Sequence, residues 1–269
     1  MTSPPATDRL TGDRLLRAVL VGLGAGFLSG LFGVGGGILM VPALVMVMHL
    51  DQRLAHGTSL AAVVPIAVSS TLSYTISGEV DWVVAGFLAV GAIGGAVLGT
   101  KLLHSLPEKV LGWAFAALLV ATALRLLLDQ GDAAGRAPLG VLGAVTLVVT
   151  GLASGVLAGL LGVGGGIIMV PVMVVGFDMS AALSKGTSLA VIIPTAVMGT
   201  WRNWRKGNVA LAVGAVAGLA GVVSAFGAGL ISVGMSDSLS NALFAALLIL
   251  VAVRMCWQLW SERGEPETT

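Results

Sequence analysis

Apolar residues run through this chain in ten blocks separated by short polar stretches. In the first half they are Leu15–Phe32, Ile38–Leu50, Leu54–Ser77, Trp82–Leu103 and Val110–Leu128. In the second they are Leu139–Leu161, Ile167–Phe177, Leu183–Trp201, Val209–Ile231 and Leu239–Trp260. None alternates apolar and polar residues with period two, as the strands of a closed barrel would, so the blocks predict helices. Most reach the roughly 20 apolar residues that cross a bilayer. The second block of each half is shorter: Ile38–Leu50, as a helix, rises about 20 Å against a hydrocarbon core of about 30 Å. It reads either as a full segment or as half of a broken or re-entrant hairpin, with the glycines before it as the break.

Composition narrows the class. Of 269 residues, 57% are hydrophobic and only 10% charged, where a soluble domain carries about 25% charged. Such a chain cannot cover a water-facing surface, which excludes a soluble globular enzyme and a disordered protein. With 9 prolines and no G-X-Y period, collagen is excluded too. The expectation is an all-α polytopic membrane protein with no separate extramembrane domain. The polar start, Met1–Asp13, passes into an apolar block without a cleavage site, so a retained first helix is expected rather than a signal peptide. Net charge is +1, and nothing resembles a nucleic-acid module. Cys256 stands alone, cannot form an internal disulfide, and is expected in the apolar core.

The blocks repeat. LSGLFGVGGGILMVP (28–42) aligns with LAGLLGVGGGIIMVP (157–171), HGTSLAAVVP (56–65) with KGTSLAVIIP (185–194), and AFAALLVATALR (114–125) with LFAALLILVAVR (243–254), all at an offset of 129. Between Gly26/Gly155 and Gly78/Gly207, 25 of 53 aligned pairs are identical, the mark of a tandem duplication. Two units of about five segments follow, 1–137 and 138–269, joined near Gln130–Pro138 and forming one transmembrane domain.

Charge orients the units. The loop RNWRKGN of the second half carries Arg202, Arg205 and Lys206, while its partner SYTISGEVD carries only Glu79 and Asp81. Positive residues mark the cytoplasmic side, so equivalent loops face opposite sides and the units form an inverted repeat. Threading the chain puts Arg9, Arg14, Arg17, Arg53, Lys101, Lys109, Arg202, Arg205, Lys206, Arg254 and Arg263 inside, and Arg125, Arg136 and Lys185 outside. Both termini are then cytoplasmic, in a multi-pass membrane protein. The six tryptophans all fall near segment ends, where an interfacial belt would lie.

The candidate chemistry lies in backbone and hydroxyls. The glycines Gly33, Gly35, Gly36 and Gly37, and again Gly162, Gly164, Gly165 and Gly166, each precede a helix whose N-terminus presents unpaired N–H donors and a positive dipole end. They read as a two-part anion site; the plain alternative is a close-packing hinge. Thr58 and Ser59, with Thr187 and Ser188, read either as hydroxyl donors beside the anion or as helix N-caps. Pro42, Pro65, Pro171 and Pro194 loosen helices by removing a backbone bond and are candidate break or gating points. Lys185 is the outer-side cation nearest this pathway, and an ordinary interfacial lysine is the expectation. The spacings Gly22/Gly26/Gly30, Gly91/Gly95/Gly99 and Gly151/Gly155/Gly159 read as helix-packing ridges.

No carboxylate lies mid-segment, and His49, His56 and His104 are expected at interfaces. No motif for hydrolysis, nucleotide binding or metal ligation is present. The expectation is a non-enzyme without metal or cofactor, whose partners are a small anion and the lipid bilayer; the oligomeric state stays open.

The doubled GxxGVGGGxxxVP followed by GTSL resembles the sulfite exporter TauE/SafE family of bacterial membrane transporters, over nearly the whole chain. The resemblance implies a plasma-membrane carrier for sulfur-containing anions such as sulfite or organosulfonates, with fewer full spans than ten. Three readings stand: an alternating-access exporter of a small oxyanion, a passive anion channel with the same backbone site, and a non-transporting membrane scaffold.

Overall fold

The structure is a computed structural model, and it describes residues 12–102, 108–128, 139–161 and 164–261. The segment joining the halves, Gln130–Pro138, lies outside these residues, as do Arg9, His104, Asp129, Arg136, Gly162 and Arg263. Ten helices follow the ten apolar blocks: α1 (Gly12–Phe32), α2 (Gly37–Met48), α3 (Gln52–Ile76), α4 (Trp82–Leu102), α5 (Glu108–Leu128), α6 (Val141–Leu161), α7 (Gly166–Phe177), α8 (Ala181–Arg205), α9 (Leu211–Gly234) and α10 (Asp237–Ser261). Among the described residues, five helices are long and apolar enough to cross a membrane: α1, α3, α6, α8 and α9. Large apolar side chains face outward, among them Val141 at 85% and Val223 at 76% exposure, as suits a surface solvated by lipid rather than water.

Two sequence expectations are corrected. The loop RNWRKGN is mostly helix: α8 continues through Arg205, leaving 206–210 as the connection. Arg202 donates from Nη1 to the carbonyls of Ala96 and Val97 on α4, and Arg205 lies 4.9 Å over the Trp201 ring. Basic side chains in a last turn are also favoured by the helix dipole. Cys256 is partly exposed rather than in the core.

The halves interleave. α1 packs along α9 and α4 along α6, so the first helix of each half lies on the fourth helix of the other. The glycine ridges make these contacts. A Cβ on Gly22, Gly26 or Gly30 would strike the backbone carbonyl of Ala217, Gly221 or Ala225 on α9. On the other side, Gly91 and Gly95 meet the carbonyls of Val148 and Leu152, and Gly151 and Gly155 meet those of Leu88 and Ala92. In lipid, where apolar side chains gain nothing by leaving the solvent, such close backbone approach drives helix association.

Between these pairs lie the two longest equivalent helices, α3 and α8, packed on each other. They run antiparallel: Gly57 near the start of α3 faces Asn203 near the end of α8, and Gly186 near the start of α8 faces Tyr74 near the end of α3. Tyr74 is fully buried and its hydroxyl donates to the Gly30 carbonyl at 2.9 Å, pinning α3 to α1.

Candidate functional site where the two glycine motifs meet

The motif glycines take backbone angles that L side chains resist. Gly33, Gly35 and Gly36 have φ of 69°, 85° and 69°, and Gly164 and Gly165 both have φ of 81°. This left-handed stretch turns the chain sharply at the end of α1 and starts α2, and again between α6 and α7. Gly36 and Gly165 are the N-caps of the short helices, and neither end is capped by a side chain.

The two turns converge. A Cβ on Gly166 would lie 2.8 Å from the Val34 Cα and 2.9 Å from the Gly33 carbonyl oxygen. A Cβ on Gly35 would lie 3.0 Å from the Ile192 Cδ1, and one on Gly164 would lie 3.2 Å from the Ile192 Cγ2. Ile192 is fully buried and sits midway along α8. So α2 and α7, each of 12 residues and about 18 Å long, start from one interior junction rather than from opposite faces. Each is shorter than a hydrocarbon core of about 30 Å.

Two helix N-termini open at this junction. The N–H groups of Gly37 and Ile38, and of Gly166 and Ile167, stand in the first turns of α2 and α7, where no in-helix acceptor precedes them. Gly35, Gly36, Gly37, Gly164, Gly165 and Gly166 are buried. Each short helix also brings about half a positive charge to its N-terminus. Donors and dipoles together suit an anion.

The GTS segments divide their work. They are not N-caps: those positions belong to Asp51, which accepts from the Arg53 N–H at 3.2 Å, and Ser180, which accepts from the Leu183 N–H at 3.2 Å. GTS lies about two turns further in. Gly57 leaves room for the Asn208 carbonyl, and Thr58 Oγ1 accepts from the Ala210 N–H at 3.0 Å. Gly186 leaves room for the Glu79 carbonyl, and Thr187 Oγ1 accepts from the Asp81 N–H at 2.9 Å. Glycine and threonine thus dock the loop of the opposite half. The serines differ: Ser59 is buried and partnered, while Ser188 is buried with no hydrogen-bond partner, its Oγ 2.8 Å from the Cβ position of Gly166.

The structure brings together Gly33, Gly35, Gly36, Gly164, Gly165, Gly166 and Ser188; the threonine hydroxyls are engaged by the loops. Pro42, Pro65, Pro171 and Pro194 all lie inside helices that continue past them.

Lys185 corrects the expectation of an interfacial lysine. Its exposure is 1%. A Cβ on Gly33 would lie 2.5 Å from both its Cα and its Cβ. Its Nζ donates to Ser240 Oγ at 2.8 Å and lies 5.1 Å from the Phe244 ring, which stacks on Phe32. A lysine near a segment end reads as interfacial by its position in the sequence. The available signal was its place directly before GTS, on the turn that carries Ser188.

A family model described as "Sulfite exporter TauE/SafE" matches residues 3–126 and 147–269. The chain is 30% identical over 224 residues to the probable membrane transporter protein YunE of Bacillus subtilis, covering 71% of this chain and 78% of that one. It is 36% identical over 126 residues to a probable membrane transporter protein of Xylella fastidiosa, covering 46% of this chain and 48% of that one. Over 95 residues it is 36% identical to the probable membrane transporter protein YdhB of Bacillus subtilis, covering 35% of this chain and 39% of that one. The match thus spans less than half the length of the last two relatives. No solved structure matches the chain.

Proposed function

The chain belongs to the sulfite exporter TauE/SafE family and is an all-helical, multi-pass membrane protein; from that premise we propose that it is a secondary transporter exporting a small sulfur-containing oxyanion, sulfite or an organosulfonate. One observation carries this reading: the first turns of α2 and α7, opened by buried glycines and uncapped by any side chain, start from one junction beside the Ser188 hydroxyl, which has no partner among the described residues. The anion accepts from these N–H groups. Gly35, Gly36 and Gly37 hold it from one half, and Gly162, Gly164, Gly165 and Gly166 from the other, while Gly33, whose N–H donates to the Ser29 carbonyl at 2.9 Å, shapes the turn. Ser59 and Ser188 add hydroxyls, while Thr58 and Thr187 hold the frame.

The halves, 1–137 and 138–269, act as opposed repeats in the plasma membrane with both termini cytoplasmic. The antiparallel pairing of α3 and α8 and the excess of Lys and Arg on one side support this. Alternating access follows from rocking one half against the other, with the proline-containing helices as break points. The close seating of Gly166 on Gly33 and Val34 favours a carrier over a passive channel, since a channel needs a continuous path.

The test is a flux screen in proteoliposomes with sulfite, thiosulfate, sulfoacetate and sulfate, under imposed ion gradients. A carrier shows saturable flux that responds to the coupling gradient and gives counterflow. Non-saturating flux without counterflow indicates the channel, and no anion flux at all indicates the scaffold.

A further inference from the structure

We propose that Lys185 supplies the fixed positive charge of the anion site, and that this charge is built into one half of the repeat only. The inference rests on the backbone anion site described above and adds its charged member.

One turn of α8 touches both glycine motifs. Lys185 packs its Cα and Cβ against Gly33 of the first motif, and Ser188, three residues on, meets Gly166 of the second. Between them Gly186 and Thr187 hold the loop from Glu79 to Asp81. The turn therefore carries a buried ammonium group at one end and a buried hydroxyl without a partner at the other. A cation buried in a membrane protein is costly, and residues that bear this cost mark substrate paths.

The repeat sharpens the point. Gly57, Thr58 and Ser59 recur unchanged as Gly186, Thr187 and Ser188, but the residue before them changes from His56 to Lys185. Its hydrogen-bond partner changes with it, while the ring it lies over, Phe244, recurs as Phe115. Ser240, which accepts its hydrogen bond, stands where the first half has Leu111, and Phe32, which stacks on Phe244, stands where the second half has Leu161. Where the scaffold is shared, the halves keep the same residues. Lys185 and its acceptor Ser240 differ together. One half thus carries at this position a buried ammonium that the other half lacks, which makes the two halves of the site unequal. His56 is partly exposed and does not repeat this buried environment.

The test uses the full-length protein in liposomes, with sulfite as the probe, and compares Lys185→Met, Lys185→Arg and the wild type. Methionine matches the lysine stem in length and apolar character, and apolar replacement of a buried charge is often neutral or stabilising. The expected result for Lys185→Met is an unfolding temperature within a few degrees of wild type and a half-saturating sulfite concentration raised at least about tenfold, which is about 1.4 kcal/mol. Lys185→Arg restores half-saturation to within about threefold. Wild-type half-saturation in folded Lys185→Met overturns the assignment and leaves the backbone site standing. Loss of folding in Lys185→Met also overturns it, because the charge would then be structural. Absence of sulfite flux in the wild type overturns the underlying reading instead.

Discussion

Thr187 accepts a hydrogen bond from the backbone N–H of Asp81 at 2.9 Å, across 106 residues of sequence. Its repeat partner Thr58 does the same for Ala210 at 3.0 Å. Each half thus holds the loop that leads into the other half's fourth helix, and the two latches sit at opposite ends of the α3–α8 pair.

Replacing either threonine by valine keeps the shape and removes the acceptor. A part-buried N–H is left open, at a cost of about 1–3 kcal/mol. Thermal or denaturant unfolding in detergent is expected to show a loss of that size for Thr58→Val and for Thr187→Val. The double variant is expected to lose the sum, since well-separated sites add. Serine at either position is expected to recover most of it.

Within the glycine motifs, the neighbours decide which substitution the fold tolerates. Alanine at Gly35 or Gly164 meets the side chain of Ile192, which can shift, and carries the penalty of a left-handed φ, about 1 kcal/mol. Alanine at Gly36 would place its Cβ 2.5 Å from the Ala25 carbonyl oxygen, which is backbone and cannot move freely. Gly35→Ala and Gly164→Ala are therefore expected to fold and to lose sulfite flux, while Gly36→Ala is expected to lower the unfolding temperature more than either. Unchanged flux in the double variant Gly35→Ala/Gly164→Ala would remove the motifs from the substrate site.

On α4, two glycines separate packing from mere tolerance. Nothing lies within 4 Å of a Cβ on Gly86, whereas one on Gly91 strikes the Val148 carbonyl on α6. Gly86→Ala is expected to stabilise by up to about 1 kcal/mol through helix propensity. Gly91→Ala is expected to destabilise by about 1–3 kcal/mol, as overpacking does. Unfolding temperatures of the two variants check the contrast.

Much of this fold was legible because lipid imposes simple rules. Blocks of apolar residues became helices, small-xxx-small spacings became close helix contacts, and the offset of 129 paired α1 with α6 and α3 with α8. The role of the GTS threonines was not legible. A hydroxyl before an apolar run looks like an N-cap, and only the fold shows that Asp51 and Ser180 fill those places while the threonines reach the opposite half. Lys185 was misjudged for a related reason. Its partner Ser240 lies 55 residues away, and no local pattern announces a pocket built from α1, α8 and α10.

The opposed arrangement of the halves has its own check. In a Cys256→Ser background, cysteines at Glu79 and Asn208 are expected to react with an impermeant thiol reagent from opposite sides of the membrane. Reaction of both from one side would contradict the inverted arrangement.

The central claim is that backbone N–H groups of the two glycine motifs hold the anion. Sulfite titration of the glycine-15N-labelled protein, followed by amide resonances, addresses it directly. The account predicts saturable shifts at Gly35, Gly36, Gly37, Gly164, Gly165 and Gly166, with packing glycines such as Gly26 unmoved. Saturating sulfite that is transported yet leaves all six motif amides unshifted would contradict it.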